Sequence, residues 1–581
     1  VHAFLSTAIS ANDIEKVDVV LGPSSSLYGA SAAGGAVNII TRTGKAGDGA
    51  AATMSYGSNN TFRPHVSAGD DSGRFHYRLS YSGDYSDGYK MIPMDGMVKL
   101  HGLGKRQYVR QASVEDNEYK HTWFSGKTGW RGDNGARVDL AVNYLERYLY
   151  GGQPNYIIND YGDTLVSSLR LVYPIGEFGR LTASTGYQFQ DIPSQETTGA
   201  SLVDGAVVVN PTITQRTEWE RRRIPFEVQG DFYLGSSNVL TTGLSWAREE
   251  EERPRFSGTT GERIYRYDLT TDMLGVYLQD QAFFMDDRLS VLAGIRYDEW
   301  KYKDIYDTGS SNKTPDDVKK DQITYRAGVK FKVNDVVSLR SSGGTAFWPG
   351  NPIWFFQNLN TGPTWREANP NLDPEKTWMA DLGTDLTFAE TGTLIRATGY
   401  YGVIEDIAAY TYEEHPTEPN TTLIRTRNIG EAEIYGLEFY LSQPVTKRLS
   451  FTGSLTLNHS RITKDEVNPA NEGNQLRNSP DYWGSLGLRY IHPELVNGEI
   501  LFRFSDDRFY DDNNERLPYF EMDAYETVDV KIWRDWKLSR QWLLHTGISV
   551  VNVFDQIYPT EIVYVNPGRY VEGTAGIRFL F

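Results

Sequence analysis

The feature that most constrains this chain is an alternation of apolar and polar residues that recurs along most of its 581 residues. In residues 74–82, four apolar side chains alternate with four polar ones: Phe75, Tyr77, Leu79 and Tyr81 against Arg74, His76, Arg78 and Ser80. The same period of two recurs in residues 181–190, 451–458 and 571–581. Successive side chains of a β-strand point to opposite faces, so the pattern predicts strands with one apolar and one polar face. From about residue 50 onward we predict one large all-β domain.

Composition decides where such a domain can reside. Hydrophobic residues make up 39% of the chain and the mean hydropathy is −0.49. No apolar run approaches the roughly eighteen residues that a membrane helix needs, which excludes helical membrane proteins. An outer-membrane β-barrel needs no such apolar run, because only every second residue of its strands faces lipid. The 37 Tyr and 13 Trp residues suit the aromatic girdles of such a barrel.

The connections between the predicted strands alternate between tight turns and mostly long polar loops. We predict ten tight turns, at residues 70–73, 131–135, 176–179, 235–238, 285–287, 334–335, 389–392, 445–447, 495–498 and 537–539. The opposite loops include residues 84–118, 147–163, 190–214, 250–262, 344–376 and 404–422. Bacterial barrels have short periplasmic turns and long outer loops. About ten turns and eleven opposite loops predict a transmembrane antiparallel β-barrel of about 22 strands, a size at which the lumen is plugged.

Several classes of protein are excluded or disfavoured by what the sequence lacks. Cys is absent, so disulfides and thiolate metal sites are excluded. The net charge of −18 argues against a nucleic-acid surface. No nucleophile elbow, phosphate loop or zinc-protease motif occurs, so we expect no enzyme and no cofactor. No signal peptide opens the chain, although an outer-membrane protein must be exported, so we expect either a mature form or a cut chain.

The first forty-odd residues differ from the rest. Residues 14–21 are predicted to form a β-strand, and a glycine-rich stretch follows it. Its distinctive residues are Gly22, Pro23, Tyr28, Gly29, Gly34, Gly35 and Asn38. Glycine allows tight turns and close approach of backbones, as a small domain wedged inside something larger requires.

Three motifs carry a resemblance to a known family. Residues 14–41 resemble the last part of the plug domain of TonB-dependent outer-membrane transporters. Residues 369–376, Asn-Pro-Asn-Leu-Asp-Pro-Glu-Lys, resemble a motif at a strand start in their barrels. Residues 551–555 with the terminal Phe581 resemble their C-terminal signature.

The resemblance spans the whole chain and implies two domains. Residues 1–45 are expected to be the C-terminal part of a small α+β plug domain, and residues 46–581 a 22-stranded outer-membrane β-barrel. In this family the plug begins well upstream and carries a TonB-binding segment near its N-terminus. We therefore expect those parts to lie outside the chain as given.

The implied function is TonB-dependent active import of a scarce solute across the outer membrane of a Gram-negative bacterium. A ferric siderophore is the first choice of solute, and cobalamin or an oligosaccharide comes next. The implied partners are TonB of the inner-membrane energising complex, outer-membrane lipids and lipopolysaccharide, and the barrel assembly machinery, which could recognise Phe581. A passive porin and a surface binding protein stay open as alternatives.

Candidate solute-binding residues lie in two predicted outer loops. One loop carries an aromatic cluster with an arginine: Trp348, Trp354, Phe355, Phe356, Trp365 and Arg366. Aromatic rings stack on flat ligands and arginine pairs with anions, although packing of the loop against its neighbours explains the cluster equally well. Tyr150 and Tyr156 in a second loop invite the same interpretation. Haem-importing relatives are expected to carry a histidine in the first of these loops. Residues 347–368 contain no histidine, so haem is a less favoured solute.

Two further motifs have competing interpretations. Four carboxylates within a few residues could hold calcium in an outer loop: Asp506, Asp507, Asp511 and Asp512. EF-hand spacing is absent there, and a solvated acidic loop is the commoner arrangement. The tripeptide in residues 131–133, Arg-Gly-Asp, leads directly into Asn-Gly and is therefore predicted to be a hairpin turn rather than an adhesion motif.

Overall fold

A computed structural model describes residues 8–22, 24–30, 32, 34–89, 117–153, 156–197, 200–203, 206–209, 213–308, 317–356, 358–360, 364–418, 421–514, 521–559 and 566–580. The predictions for Pro23 and Phe581 lie outside these residues, as do those for the side chains of Tyr28 and Tyr156. No helix in the described ranges is long and apolar enough to cross a membrane.

The N-terminal segment, residues 8–45, forms a two-stranded sheet with short helical turns. A 3-10 helix at Ala11–Asp13 precedes strand β1, Ile14–Leu21, and helix α1, Ser25–Tyr28, leads to strand β2, Gly35–Thr41. The two strands are antiparallel, with Val19 opposite Val37. Gly29 ends α1 with a φ of +80°, a conformation that glycine adopts without a steric penalty.

The remaining strands follow in chain order. The first barrel strands are β3 Gly49–Gly57, β4 Thr61–Asp71, β5 Phe75–Ser86, β6 Glu118–Arg131, β7 Arg137–Gln153, β8 Tyr156–Pro174 and β9 Gly179–Asp191. Four short strands lie in the next loop: β10 Ser194–Thr197, β11 Ala200–Val203, β12 Ala206–Val209 and β13 Ile213–Thr217. The barrel continues with β14 Glu220–Leu234, β15 Asn238–Ser257, β16 Arg263–Phe284, β17 Leu289–Asp307, β18 Val318–Lys332 and β19 Val337–Trp348.

A long outer loop then holds helix α2, Pro352–Phe356, with strands β20 Leu359–Asn360 and β21 Thr364–Glu367. The next barrel strands are β22 Glu375–Phe388, β23 Thr393–Glu414, β24 Thr422–Pro444, β25 Leu449–Asp465, β26 Tyr482–Tyr490 and β27 Asn497–Ser505. A loop with β28 Arg508–Phe509 and β29 Glu521–Met522 leads to β30 Tyr525–Lys537, β31 Trp542–Val551 and β32 Tyr570–Phe579. Two further 3-10 helices lie at Gly176–Phe178 and Pro469–Asn471.

Twenty-two of these strands form one closed antiparallel barrel, as the sequence predicted. Closure occurs between the first and last strands, where β3 pairs with β32 and Ala50 lies opposite Phe579. A closed sheet has all its strands paired on both sides, so no strand edge is exposed to lipid.

The two faces of the barrel wall meet different surroundings. On β5 the apolar Phe75 and Leu79 are 59% and 60% exposed, whereas His76 and Ser80 are buried on the opposite face. Exposed apolar side chains in a regular row fit a lipid-facing surface, and the buried polar row then faces the lumen. The predicted period of two is confirmed, with the apolar face directed outward.

Three loops are shorter than predicted, because the strands extend into them. Residues 147–153 belong to β7 and residues 156–163 to β8, while β15 continues to Ser257 and β23 to Glu414. Hairpins that project beyond the membrane need no apolar face, so polar sequence there does not end a strand. Nine of the ten predicted tight turns are confirmed. The tenth lies earlier than predicted, because β27 already begins at Asn497.

Candidate functional site

The predicted aromatic cluster of the long outer loop divides into a buried part and a partly exposed part. Phe355 and Phe356 are 1% and 0% exposed. Both rings pack on Tyr302 of β17, with ring centroids 5.5 and 5.3 Å away. Among the described residues, the buried members of this core are Tyr265, Tyr267, Leu269, Trp300, Tyr302, Ile305, Phe347, Phe355, Phe356 and Leu372. In this arrangement Phe355 and Phe356 hold the loop to the barrel wall.

Trp348, Trp354 and Arg366 lie together above the β23–β24 hairpin and are half-buried. The rings of Trp348 and Trp354 meet edge to face at 5.3 Å. The Trp354 indole nitrogen donates a 2.8 Å hydrogen bond to the hydroxyl of Tyr410 on β23. The Arg366 guanidinium lies 5.3 Å above the same tyrosine ring. The structure therefore brings Trp354 and Arg366 to one tyrosine, and Trp348 packs against Trp354.

Trp365 lies on a second contact of the loop. Its ring stacks on His415 at 4.7 Å, and β21 runs parallel to β24. The Asn-Pro-Asn-Leu motif fixes the end of the loop, because the Asn369 side-chain amide donates to the carbonyl of Thr426 at 2.9 Å. Asn428 of β24 donates in turn to the carbonyl of Asp373 at 2.9 Å. The motif therefore anchors this loop to β24.

The other predicted residues lie elsewhere. Tyr150 is half-buried in β7, opposite Glu118 of β6, and Tyr156 begins β8. In the acidic loop, the Asp512 carboxylate accepts a 3.2 Å hydrogen bond from the backbone of Arg477. Within the described ranges, no three His, Cys, Asp or Glu side chains converge to hold a metal ion. Calcium at Asp506, Asp507, Asp511 and Asp512 stays a prediction.

The N-terminal segment contacts the lumenal face of β5 and β6. Asp13 is 4% exposed, and its carboxylate accepts a 2.7 Å hydrogen bond from the hydroxyl of Ser80. The Arg78 guanidinium lies 3.6 Å from the same carboxylate. Lys127 of β6 donates to the backbone oxygen of Thr41 at 3.3 Å. These contacts hold one end of the β1–β2 sheet, where β1 begins and β2 ends, against one side of the barrel wall.

Helix α1 contacts a different part of the wall, formed by β17, β18 and β19. A side chain at Gly29 would place its Cβ 3.2 Å from a guanidinium nitrogen of Arg296. That guanidinium is held by the carboxylate of Asp298 at 2.8 Å and by the hydroxyl of Ser245 at 2.8 Å. The backbone nitrogen of Phe347 donates to the Ser25 hydroxyl at 3.4 Å. Gly29 therefore permits a close approach between the segment and the wall.

An aromatic row on β6 was not predicted from the sequence. Tyr119, His121 and Trp123 share one face of the strand, with successive ring centroids 5.3 and 5.4 Å apart. Phe124 is 49% exposed on the opposite, lipid-facing side. The three rings are therefore lumenal. The signal was present as an alternation of rings at residues 119, 121 and 123, but it follows directly on a predicted loop.

Comparisons with known proteins agree with this architecture. A family model described as "TonB dependent receptor-like, beta-barrel" matches residues 25–553. The metal-pseudopaline receptor of Pseudomonas aeruginosa is 24% identical over 96% of this chain and 78% of its own length.

Two solved structures share the fold. The ferric yersiniabactin uptake receptor of Yersinia pestis has a TM-score of 0.75 at 15% identity, covering 98% of this chain and 85% of its own. A copper transporter has a TM-score of 0.76 at 16% identity, covering 99% and 86%.

Proposed function

Because this chain belongs to the TonB-dependent receptors of the Gram-negative outer membrane, we propose that it imports a ferric siderophore with energy delivered through TonB. The outer membrane holds no ATP, so uphill transport there needs an energy source in another membrane. The family consists of transporters and receptors. We propose accordingly that the chain has no catalytic role.

The observation that carries the proposal is the position of the N-terminal segment against the lumenal wall. We propose that residues 1–45 are the C-terminal part of a plug and residues 46–581 the barrel. The buried contact of Asp13 with Ser80 and the close approach of Gly29 to Arg296 support this division. A plug held by a few polar contacts closes the lumen and can still be moved by a pull from the periplasm.

The choice of solute rests on two kinds of support. Two of the proteins compared above are named as receptors for a metal complexed by a small organic ligand, pseudopaline and yersiniabactin. The outer mouth of the barrel combines partly exposed aromatic rings with charged side chains, which suits an organic metal complex. Cobalamin and oligosaccharides are the second choices.

The test is growth under iron limitation. A receptor-deficient host that expresses this protein is supplied with single ferric siderophores, with cobalamin or with an oligosaccharide, in strains with and without TonB. We expect at least one ferric siderophore to support growth only when both the protein and TonB are present. Growth on cobalamin or an oligosaccharide alone would overturn the choice of solute.

Conductance separates active import from a passive porin. The intact protein in a planar lipid bilayer should conduct almost no steady current if a plug closes its lumen. Large, steady conductance without TonB would show an open channel and overturn the proposal of active import.

A further inference from the structure

The wall of the barrel parts between β18 and β19 in its outer half. Among the described residues, backbone pairing of these two strands ends with Arg326 opposite Gly344. Beyond that pair, the backbone nitrogen of Tyr325 donates instead to the side-chain hydroxyl of Thr345, at 3.0 Å. The last residues of β19 continue in register with β22 on their other side. The backbone edge of β19 that faces β18 therefore needs another partner at this level.

Helix α1 of the N-terminal segment lies against this parting on the lumenal side. It contacts β17, β18 and β19 together. The backbone nitrogen of Phe347, near the end of β19, donates to the Ser25 hydroxyl of α1 at 3.4 Å, and both residues are fully buried. A buried N–H group without an acceptor is costly. Helix α1 thus supplies the acceptor that a continued β18 would have provided.

Phe347 also belongs to the aromatic core beneath the outer loop. Its ring stacks on Trp300, with the ring centroids 5.2 Å apart. Helix α2, at the root of the outer loop, enters the same core through Phe355. Ala30, just after α1, and Trp354 of α2 both pack against this core. One packed unit therefore contacts the N-terminal segment and the outer loop at the same time.

Such a unit makes the positions of α1 and α2 depend on each other. Densely packed interiors transmit strain, and a side chain that loses a neighbour leaves a cavity or forces its other neighbours to move. Undocking of α1 uncovers the N–H group of Phe347 and the part of the core next to Ala30. Loss of the Phe355 ring opens the core from the loop side. Each event removes contacts that hold the other helix, and such coupling is reciprocal.

We propose that the aromatic core couples the N-terminal segment to the outer loop: docked α1 holds α2 against the wall, and undocking of α1 loosens it. This inference rests on the proposed function, because the force that undocks α1 in the cell is the pull on the plug through TonB. A pull from the periplasm then loosens the root of the outer loop as well as the plug, without any action of the solute.

The test is hydrogen exchange of the purified intact protein, in the absence of TonB, iron and siderophore. Phe355→Ala perturbs the core from the loop side. Exchange is measured at the amides of Leu27 and Gly29, which are hydrogen-bonded to Ser24 and Ser25 within the N-terminal segment. We expect these two amides to exchange at least roughly fivefold faster than in the unchanged protein, the lower end of coupling between linked sites.

Reciprocity gives a second measurement from the other side. Ser25→Ala removes the acceptor of the Phe347 N–H group and weakens the docking of α1. The amide of Trp354, which is bonded to Asn351 in the outer loop, should then exchange roughly two- to fivefold faster. An unchanged rate at Trp354 would show that the loop is held independently of α1 and would overturn the inference.

The matched control is Trp365→Leu, which removes a ring of the same loop that stacks on His415 rather than on the core. It should leave the amides of Leu27 and Gly29 unchanged. An increase in the Phe355→Ala variant no larger than in this control overturns the inference. The heat-modifiable mobility of each variant on gels shows that the barrel has folded, and Phe355→Leu, a smaller change with the same expected direction, replaces Phe355→Ala if that variant does not fold.

The proposed function fails differently. Exchange is measured without TonB or solute, so absence of coupling refutes the link between α1 and α2 and leaves import of a ferric siderophore intact. Iron uptake that needs no TonB refutes the import mechanism, whatever the exchange rates.

Discussion

The buried carboxylate of Asp13 gives the sharpest prediction about how the N-terminal segment is held. In an Asp13→Ala variant the Ser80 hydroxyl loses its charged acceptor, and the Arg78 guanidinium loses the carboxylate 3.6 Å away. The Arg78 side chain is only 13% exposed, so its charge is left largely uncompensated. The backbone of residue 13 keeps its bonds to Ser10 and Arg42, so the local fold of the segment should survive.

The magnitude follows from these contacts. Breaking a buried ion pair by removing one partner costs about 3–5 kcal/mol. The lower end applies here, because the guanidinium retains some access to the lumen. A loss of about 3 kcal/mol raises the undocked fraction of the segment by roughly 150-fold. Ser80→Ala removes only one hydrogen bond and should cost about 1 kcal/mol.

Hydrogen exchange of the β1 and β2 amides in the folded protein measures this docking. The matched control is Asp18→Ala, which removes another carboxylate of the same segment. Asp18 pairs with Lys16 at 2.5 Å, but both side chains are well exposed, so the loss should stay below about 1 kcal/mol. Equal exchange rates in the Asp13→Ala and Asp18→Ala variants would refute the reasoning.

Three further predictions concern single side chains. Gly29→Ala should loosen α1 from the wall by about 1–2 kcal/mol, seen as faster proteolysis of the segment, whereas Gly34→Ala, with no atom within 4 Å, should not. Phe355→Ala should destabilise the outer-loop core by about 3–5 kcal/mol in local hydrogen exchange. The hydrogen bond from Lys45 holds the pKa of Glu15 below its ordinary value. This small stabilisation is complete above the unfolded pKa and lost as pH falls through the lowered one. Both residues belong to the N-terminal segment, so Glu15→Gln should abolish this pH dependence of the segment's own stability, measured by hydrogen exchange of the β1 amides.

The barrel was predictable because its pattern is local. Successive side chains of each strand alternate between lipid and lumen. The face on which residues such as Phe75 and His76 lie can therefore be predicted from the strand's own sequence. The tight turns carry their own turn chemistry, and seven of the nine confirmed ones contain glycine, asparagine or aspartate.

The site was less predictable because it depends on distant partners. Phe355 is buried because its ring packs on Tyr302, which is distant in the chain. Asp13 holds the N-terminal segment through a hydrogen bond from Ser80, 67 residues away. Where strands extend beyond the membrane they have no apolar face, so their polar sequence cannot be distinguished from that of a loop. The rings at Tyr119 and Trp123 have the composition of a membrane girdle, and only the sheet register shows that they face inward.

The measurement that tests the central claim most directly is the initial rate of radioactive iron uptake by cells that express this protein. The cells are supplied with a ferric siderophore that supports growth, in otherwise identical strains with and without TonB. Active import through a closed barrel predicts rapid accumulation with TonB and only surface-bound iron without it. Equal accumulation in both strains would contradict the account, because the solute would then cross the barrel without energy from the inner membrane.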